Sequence, residues 1–396
     1  MFDSITDRAL KRRIKQHVIG REHLFFASVQ PGFEKTLEKE LASFGLNVSG
    51  EHIEGGGEFR GSLDDCFTAC IRSRTASRVL MRIAEFRSHD FYELERGIRG
   101  LSWELYLNPE FPVRFSITSR KSMIYHTGKL EEIFRRQLPP SYKFEENGSG
   151  GGEVPVCQTL FVRNFRDTCT VSIDASGEFL YRRGVKQLVG AAPLRETLAS
   201  LILLEAGVEK YDIILDPMCG SGTFSIEAAS ILTSTPPNIE RNFPFMNWPS
   251  FKEKNYEFMK KEILKLQNRD GIKGRSIITS DIDPDAVETA SGNVPDLFRE
   301  VVNPEQGDFF NIAPSFFSGG KVIVVLNPPY GKRLREKDPA MLYRMIGEKI
   351  KKDFNNCGYA LIAPGIEAEA ALNLNCSRKI PFMNGGIKAA LLIRDI

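Results

Sequence analysis

The first 180 residues carry short apolar runs separated by polar turns, a pattern that predicts small strands and amphipathic helices. An apolar run at residues 24–29 predicts a strand, and apolar residues at helical spacing from Phe33 to Phe44 predict the helix that follows. Ser62, with Asp64 and Asp65 behind it, predicts a capped helix that extends to about Ser77. We therefore expect a mixed α+β region, with further strands at 79–86, 113–118, 157–163 and 168–174 and helices at 91–99 and 129–137.

From Tyr211 onwards, strand-like runs alternate with helical segments, which is typical of a doubly wound α/β sheet. Residues 235–268 interrupt this alternation with paired prolines and a Lys/Glu-rich helix, and are interpreted as an insertion. The predicted strands are 213–215, 276–279, 321–326, 359–362 and 389–393, with helices after Gly222 and Pro284, near 342–354 and near 367–374.

Histidine placement narrows the chemistry that the second half can support. All five histidines lie in the first half, the last of them at His126. Without histidine, the second half cannot contain a Ser-His-Asp or Cys-His catalytic relay, which excludes most hydrolase mechanisms. It also cannot contain a histidine-ligated zinc site, and we expect no metal. The seven cysteines form no Cys-x-x-Cys pair, which indicates reduced, mostly buried thiols.

Charge and the N-terminal residues bear on partners and location. The net charge is only +2, so the total does not indicate a nucleic-acid-binding protein. Basic residues cluster locally, at 8–21, at 72–82 and at Arg182-Arg183, and such clusters fit either phosphate binding or solvated helix faces. No apolar h-region follows the N-terminus and no apolar run reaches membrane-spanning length, so we expect a cytoplasmic protein.

A glycine-rich turn joins the first strand of the second half to a helix. It reads Asp216-Pro217-Met218-Cys219-Gly220-Ser221-Gly222-Thr223. Glycines let the backbone approach a ligand closely, and ligands of open α/β sheets bind beyond the carboxyl ends of the strands. A dinucleotide is disfavoured because Ser225 stands where Gly-x-Gly-x-x-Gly requires its third glycine.

Two further strand ends carry carboxylates. Asp281, in Thr279-Ser280-Asp281-Ile282-Asp283, can accept hydrogen bonds from both ribose hydroxyls of a nucleoside. Asp308 can accept from an adenine amine while Phe309 packs on the ring, although Asp308 could equally be a helix cap. Three carboxylate-ended loops in this order favour an adenosyl cofactor.

The fourth strand end, after residues 321–326, reads Asn327-Pro328-Pro329-Tyr330. Two prolines cannot continue a strand ladder and fix the backbone rigidly. A purine exocyclic amine is a poor nucleophile because its lone pair is delocalised into the ring. The Asn327 side-chain carbonyl and the Pro328 backbone carbonyl could accept its two hydrogens and aim the lone pair, while Tyr330 stacks on the base. The loop therefore predicts methylation of a base amino group, with rate enhancement from alignment.

In order and spacing, these motifs resemble the THUMP-domain RNA methyltransferases, in particular the bacterial family of large-subunit ribosomal RNA guanine-N2 methyltransferases, often labelled N6-adenine-specific DNA methylases. The resemblance covers about residues 23–396 and is carried by 27–34, 73–78, 174–177, 180–184, 192–199, 216–222 and 327–331. It implies a class I, Rossmann-like methyltransferase domain with S-adenosyl-L-methionine as cofactor. It also implies that residues 216–223, Asp281, Ile282, Asp308 and Phe309 line the cofactor pocket, with Thr197 in a segment that covers it.

The resemblance implies a domain order: a ferredoxin-like subdomain at 23–62, an RNA-binding THUMP domain at 63–180, a linker and cofactor-covering segment at 181–200, and the methyltransferase domain at 201–396. Residues 1–22, predicted as a basic N-terminal tail, lie outside the resemblance. The leading hypothesis is methylation of guanine N2 in large-subunit ribosomal RNA. Guanine N2 of tRNA, adenine N6 in DNA and a non-enzymatic RNA-binding assembly factor are the alternatives, because Asn-Pro-Pro-Tyr alone selects neither the base nor the nucleic acid.

Overall fold

The computed structural model describes residues 7–51, 53–145, 157–183, 194–313, 319–329 and 339–396. The chain divides into two compact units. Unit 1 comprises residues 1–28, 38–180 and 238–262, and unit 2 comprises residues 29–37, 181–237 and 263–396. Across the described ranges, no helix combines the length and apolar character needed to cross a membrane.

Unit 1 is built on a mixed sheet with helices packed on its apolar face. Its strands are β1 (His23–Ser28), β2 (Asn47–Val48), β3 (Gly56–Gly61), β4 (Arg78–Arg87), β5 (Val113–Arg120), β6 (Gln158–Phe165) and β7 (Thr168–Asp174). Its helices are α1 (Asp7–Ile14), α2 (Glu34–Ser43, shared with unit 2), α3 (Leu63–Arg72), α4 (Phe91–Arg99) and α5 (Thr127–Gln137). The sheet order is β2-β3-β1-β4-β7-β6-β5, antiparallel except for β5 beside β6, so the predicted α+β region is confirmed.

Helix α3 begins where the sequence predicts and ends earlier. The Ser62 hydroxyl accepts the Asp65 backbone N–H at 3.3 Å, and the Ser62 N–H donates to the Asp65 carboxylate at 2.7 Å, which forms a capping box. The predicted end at about Ser77 is wrong, because the chain turns away after Arg72 to bind Glu40. The Ser73 hydroxyl and the Arg74 N–H both donate to the Glu40 carboxylate, at 2.6 and 2.8 Å.

Two other segments of unit 1 differ from their sequence interpretation. The region predicted as a basic tail is helical from Asp7 to Ile19, and Ile14 and Val18 are buried on it. Within the predicted insertion, residues 238–262 belong to unit 1. Phe245 of this segment stacks on Phe67 of α3, with ring centroids 4.1 Å apart. Residues 238–262 of the insertion thus contribute to the core of unit 1.

Unit 2 contains a seven-stranded sheet in the order β10-β9-β8-β11-β12-β14-β13. The strands are β8 (Ile213–Asp216), β9 (Ser276–Asp281), β10 (Val302–Gln306), β11 (Val322–Leu326), β12 (Gly358–Pro364), β13 (Arg378–Asn384) and β14 (Ile387–Arg394). The five from β10 to β12 run parallel, and β14 is antiparallel to both of its neighbours. The helices are α6 (Glu196–Glu205), α7 (Thr223–Leu232), α8 (Glu253–Leu264, mostly in unit 1), α9 (Pro284–Asn293), α10 (Pro339–Asp353) and α11 (Gly365–Leu372). The predicted α/β class is confirmed.

The two edge strands of this sheet, β10 and β13, were absent from the sequence prediction. Each contains a proline, Pro304 in β10 and Pro381 in β13. Proline cannot donate to a strand ladder and so argues against a strand unless the strand lies at an edge. The central strand β11 carries no such break: it is apolar and buried along its whole length and packs against α10 and α11 in the hydrophobic core. Another inner strand, β12, has a proline only as its last residue, Pro364.

Candidate active site

The carboxyl ends of four parallel strands meet at one edge of the unit 2 sheet. Asp216, the last residue of β8, pairs with Thr279 of β9, and Gln306 at the end of β10 pairs with Asp281 at the end of β9. On the other side of β8, Leu215 pairs with Val324 of β11, three residues before Asn327. We call residues 216–223, 279–283, 306–308 and 327–329 the strand-end rim. The sequence prediction that these loops lie together is consistent with this register.

The glycine loop is tied to the end of β9. The Gly220 N–H donates to the Asp281 carboxylate at 2.9 Å, and the Cys219 N–H donates to the Ser280 carbonyl at 3.0 Å. Gly222 caps α7 with φ +80°, and a Cβ built there would lie 3.2 Å from the Ala290 Cβ, so glycine is required. A Cβ on Gly220 would meet nothing within 4 Å, so the backbone at this loop is open to a ligand.

Asp281 keeps acceptor capacity although both of its oxygens already bind backbone. Besides the Gly220 N–H, its carboxylate accepts the Asp283 N–H at 3.1 Å. A carboxylate offers about four lone-pair sites, so further donors such as ribose hydroxyls can be accommodated. The neighbouring Ile282 side chain is 65% exposed, which places an apolar surface at the rim.

Asp216 lies at the base of the rim and is fully buried. One of its oxygens accepts the Ser225 hydroxyl at 2.9 Å, and the Thr279 hydroxyl donates in turn to Ser225 at 2.7 Å. Burial raises the pKa of Asp216 to about 7, and the Asp281 charge adds to this rise while the Ser225 hydrogen bonds oppose it. The sequence shows Ser225 only as the residue that replaces the third glycine of the dinucleotide motif. Its hydrogen bonds to Asp216 of β8 and Thr279 of β9 cannot be recognised from the local sequence pattern.

Three buried side-chain oxygens at the rim have no hydrogen-bond partner among the described residues: Asp216 Oδ1, Ser280 Oγ and Asn327 Oδ1. They are the only such buried side-chain atoms in the described part of unit 2. They lie at the ends of β8, β9 and β11 respectively, and β8 is the strand between the other two. Buried polar groups are nearly always hydrogen-bonded, so each exception requires an explanation. Their concentration on one rim indicates a site that receives donors from a ligand.

The loop after β11 is anchored by a hydrogen bond from helix α10. Pro328 is buried, and the Tyr343 hydroxyl of α10 donates to the Pro329 carbonyl at 3.4 Å. Tyr343 is itself buried in the hydrophobic core. This contact fixes the backbone beside Asn327, and the sequence gave no sign of it because Tyr343 lies in an ordinary helical pattern. Tyr330 lies outside the described residues.

Two predicted cofactor contacts at the third strand end are changed by the structure. Asp308 is the N-cap of a short 3₁₀ helix and accepts the Phe310 N–H at 2.9 Å, which is the capping alternative. Phe309 is 1% exposed and stacks on Phe354 in the core, with centroids 5.8 Å apart. Its ring is thus enclosed by the core, and its packing on a cofactor ring stays a prediction. The capping bond leaves Asp308 with a second oxygen for a ligand.

The other residues predicted to bind the cofactor are those of the glycine loop and Thr197 of α6. Met218 packs against the core, and Cys219 is a buried thiol whose pKa is raised by burial. Ser221 and Thr223 share a hydrogen bond of 3.1 Å, and Pro217 is buried. Thr197 is buried in the first turn of α6, and its place over a cofactor follows only from the resemblance. No cluster of metal-ligating side chains occurs among the described residues.

A buried ion pair supports the helix that follows the glycine loop. Arg183 donates to Glu227 of α7 at 3.1 Å, and the Ser200 hydroxyl of α6 donates to the same carboxylate. The side chains of the pair are 7% and 4% exposed. The charges are therefore desolvated and depend on each other, which fixes α6 and the Arg183 backbone to α7.

A sequence profile of the RMKL-like methyltransferase domain matches residues 183–393, more than half of the chain. The chain belongs to this family. A second profile, of the RlmL ferredoxin-like domain, matches residues 24–80 and extends past the predicted boundary at residue 62. The family predicted from the motifs is confirmed.

Individual relatives agree with this assignment. The chain is 31% identical over 385 residues to the ribosomal RNA large subunit methyltransferase K/L of Syntrophotalea carbinolica, with 94% of this chain and 53% of the relative covered. The chain thus spans about half the length of the curated relatives it matches. Among solved structures, "SMU.472, a putative methyltransferase complexed with SAH" superposes with a TM-score of 0.80 at 25% identity, with 95% and 98% of the two chains covered. A "predicted N6-adenine-specific DNA methylase" from Listeria monocytogenes has the same fold, with a TM-score of 0.80, 24% identity and 95% and 96% coverage.

Proposed function

We propose that this chain transfers a methyl group from S-adenosyl-L-methionine to guanine N2 in large-subunit ribosomal RNA. The observation that carries the proposal is the buried Oδ1 of Asn327, which has no hydrogen-bond partner among the described residues and lies on the same rim as the open glycine loop. The substrate is taken from the names of the relatives, which are ribosomal RNA large subunit methyltransferases.

The residues at the rim fit the proposed cofactor. The open side of Gly220 admits a ligand against the backbone, the Asp281 carboxylate can accept ribose hydroxyls, and exposed Ile282 can cover an apolar ring face. The pocket-lining roles of residues 216–223, Asp281, Ile282 and Asp308 are part of this proposal. When bound, S-adenosyl-L-methionine supplies an electrophilic methyl group on a sulfonium.

Asn327 orients the nucleophile. Its Oδ1 accepts one hydrogen of the base amine, and the Pro328 carbonyl accepts the other, which returns electron density to nitrogen and aims its lone pair. The base nitrogen oriented in this way would accept the methyl group that the bound cofactor would supply, with the cofactor's thioether as the other product, and the amine would lose a proton to solvent. Tyr343, through the Pro329 carbonyl, keeps this loop in place. Tyr330 is proposed to stack on the base, and a base in a stem would first be flipped out.

The appended N-terminal half favours RNA over DNA. Residues 24–80 match the RlmL ferredoxin-like domain, and we assign RNA binding to the THUMP region predicted at 63–180. A ribosomal substrate also agrees with the predicted cytoplasmic location. Adenine N6 in DNA remains the second candidate, because Asn327-Pro328-Pro329-Tyr330 suits either purine amine.

The test is a methyl-transfer assay with three substrates in parallel. The purified chain and methyl-labelled cofactor are incubated with undermodified large-subunit ribosomal RNA, with tRNA and with duplex DNA, and the products are digested to nucleosides for mass spectrometry. We expect N2-methylguanosine from ribosomal RNA. Label in duplex DNA alone would overturn the proposal, as would the absence of cofactor binding by calorimetry.

A further inference from the structure

The two faces of the unit 1 sheet differ in chemistry. Strand pairing places Met81, Ile173 and Leu160 side by side on one face, where each is at most 1% exposed. Helices α4 and α5 contribute Leu94, Ile98, Leu130 and Phe134 to this buried layer.

The alternate positions of the same strands form the opposite face. Over β4, β7, β6 and β5 this face carries six arginines and two phenylalanines, with serine, threonine and two acidic residues among them. Two of the arginines, Arg78 and Arg114, form ion pairs with Asp174 and Glu145. We call it the arginine face, and its defining residues are Arg82, Arg87, Arg120, Phe161, Arg163 and Phe165. Arg87, Arg120 and Arg163 are exposed in the full chain.

The charges on this face are poorly balanced. Glu85 and Asp174 are the acidic residues at these positions of the four strands. Asp174 is buried and paired with Arg78, and Glu85 accepts a hydrogen bond from Thr170 at 3.3 Å. The Arg87 side chain is 75% exposed, with only a 3.7 Å contact to Glu93. Burial lowers the pKa of Arg82, and the neighbouring charge of Arg163 lowers it further, although Glu58 opposes the shift. The crowded cations favour an anionic partner.

Planar groups lie between these charges. The Arg163 guanidinium lies 4.7 Å from the centroid of the Phe165 ring, and Arg166 lies 5.2 Å from the same ring. Phe161 is four residues earlier on β6, about 13 Å away at the rise of a strand, and the Arg78 guanidinium lies 5.0 Å from the centroid of its ring. Aromatic rings and guanidinium planes on an open four-stranded sheet are surfaces on which unpaired RNA bases stack.

We propose that the arginine face binds a single-stranded segment of the RNA substrate, with bases stacked on Phe165 and on the guanidinium planes beside it and phosphates bound by Arg87, Arg120 and Arg163. The inference rests on the proposed function, because it assumes an RNA substrate. The four strands span about 14 Å, enough for two or three nucleotides. A duplex hides its base faces and could use only the arginines, so the rings favour single strands.

The experiment measures binding of a fluorescent, mixed-sequence single-stranded RNA oligonucleotide to the full chain by anisotropy, as a function of salt. The double variant Arg120→Ala/Arg163→Ala should bind weaker and lower the slope of log K against log salt by about 1.4, at roughly 0.7 per phosphate contact. Phe165→Ala should weaken binding by roughly 5- to 150-fold with little change in slope, and Phe165→Tyr should restore it.

A matched control removes the same charge from the opposite side of the sheet. Arg99 of α4 and Lys129 of α5 are exposed, with side chains 65% and 47% accessible. Arg99→Ala/Lys129→Ala should leave affinity and salt slope close to wild type. Equal losses in the two double variants would mean non-specific attraction and overturn the proposal, as would binding of a matched duplex as tight as that of the single strand.

Failure of this inference is distinguishable from failure of the proposed function. If the wild type methylates ribosomal RNA and the variants of the arginine face bind single-stranded RNA normally, the RNA-binding role of the arginine face is refuted and the proposed function is supported. If the face variants lose RNA binding but the wild type transfers no methyl group, the face stands and the function fails. If the wild type binds no single-stranded RNA, the face is wrong regardless of activity.

Discussion

The substitution Asn327→Ala separates a catalytic role of this side chain from a structural one. If Asn327 had a structural role, its side-chain oxygen would accept hydrogen bonds from neighbouring groups. Truncation would then leave those neighbouring donors unpaired and destabilise the fold. Asn327 Oδ1 is buried and has no partner in the described structure. Alanine therefore removes a desolvated acceptor and breaks no hydrogen bond made by that oxygen.

The magnitudes follow from these two roles. An unsatisfied buried polar group costs about 1–3 kcal/mol, and its removal offsets the packing lost with the side chain. We expect the Tm to stay within roughly 2–4 °C of wild type or to rise, which corresponds to about 1 kcal/mol in a domain of this size. Loss of one pre-aligned group at a reacting centre lowers kcat by about 10²- to 10³-fold.

The assay pairs kcat for methyl transfer with calorimetric cofactor affinity and thermal unfolding of the same samples. The control is Asn303→Ala, which truncates an exposed asparagine on β10. Normal kcat in Asn327→Ala would refute the proposed orientation of the amine. A large fall in Tm together with the loss of activity would instead assign Asn327 a structural role, since an unpartnered oxygen cannot account for destabilisation.

Three further predictions concern the rim and its support. Asp281→Ala should weaken cofactor binding about 10- to 100-fold by calorimetry, because the carboxylate is proposed to accept the ribose hydroxyls and also accepts the Gly220 N–H. Unchanged affinity would contradict the proposed role. The folded-state pKa of Asp216, about 7, lies above its usual 3.8, so the folded protein holds an extra proton between these values and wild-type stability falls as pH rises through this window. Asp216→Asn removes this titration, so the stability of the variant relative to wild type should rise between pH 4 and pH 8, by as much as roughly 4 kcal/mol. A difference in unfolding free energy that does not change with pH would contradict the raised pKa of Asp216. Arg183→Met or Glu227→Leu alone should destabilise by about 3–5 kcal/mol and the double variant by much less, whereas additive losses would mean that the pair is uncoupled.

The strand ends of the site could be predicted from the sequence because they are abrupt. Residues 322–326 form an uninterrupted apolar run, and Asn327 with two prolines ends it. A parallel strand buried on both faces needs such a run, and its carboxyl end is where ligands of open α/β sheets bind. The same reasoning failed for β10 and β13, because an edge strand has only one ladder to satisfy and can include proline.

Other features depend on contacts between distant parts of the chain. The early end of α3 depends on Glu40, more than thirty residues before it, and the enclosure of Phe309 depends on Phe354 of the α10 region. Neither partner is visible in the local pattern. Asp308 illustrates the limit most directly, since capping and ligand binding require the same residue type at the same place, and only the 2.9 Å bond to Phe310 establishes the cap.

The unpartnered oxygens of the rim constrain what its ligands must provide. If each costs about 1–3 kcal/mol, Asp216, Ser280 and Asn327 together cost about 3–9 kcal/mol, which is comparable to the whole stability of a typical domain. Asp216 and Ser280 lie beside the glycine loop, whereas Asn327 follows β11. A cofactor bound at the glycine loop could offer donors to the first two and would leave Asn327 unsatisfied. A second molecule that offers a donor at the end of β11 would satisfy this oxygen, which supports the assignment of Asn327 to the methyl-accepting base and not to the cofactor.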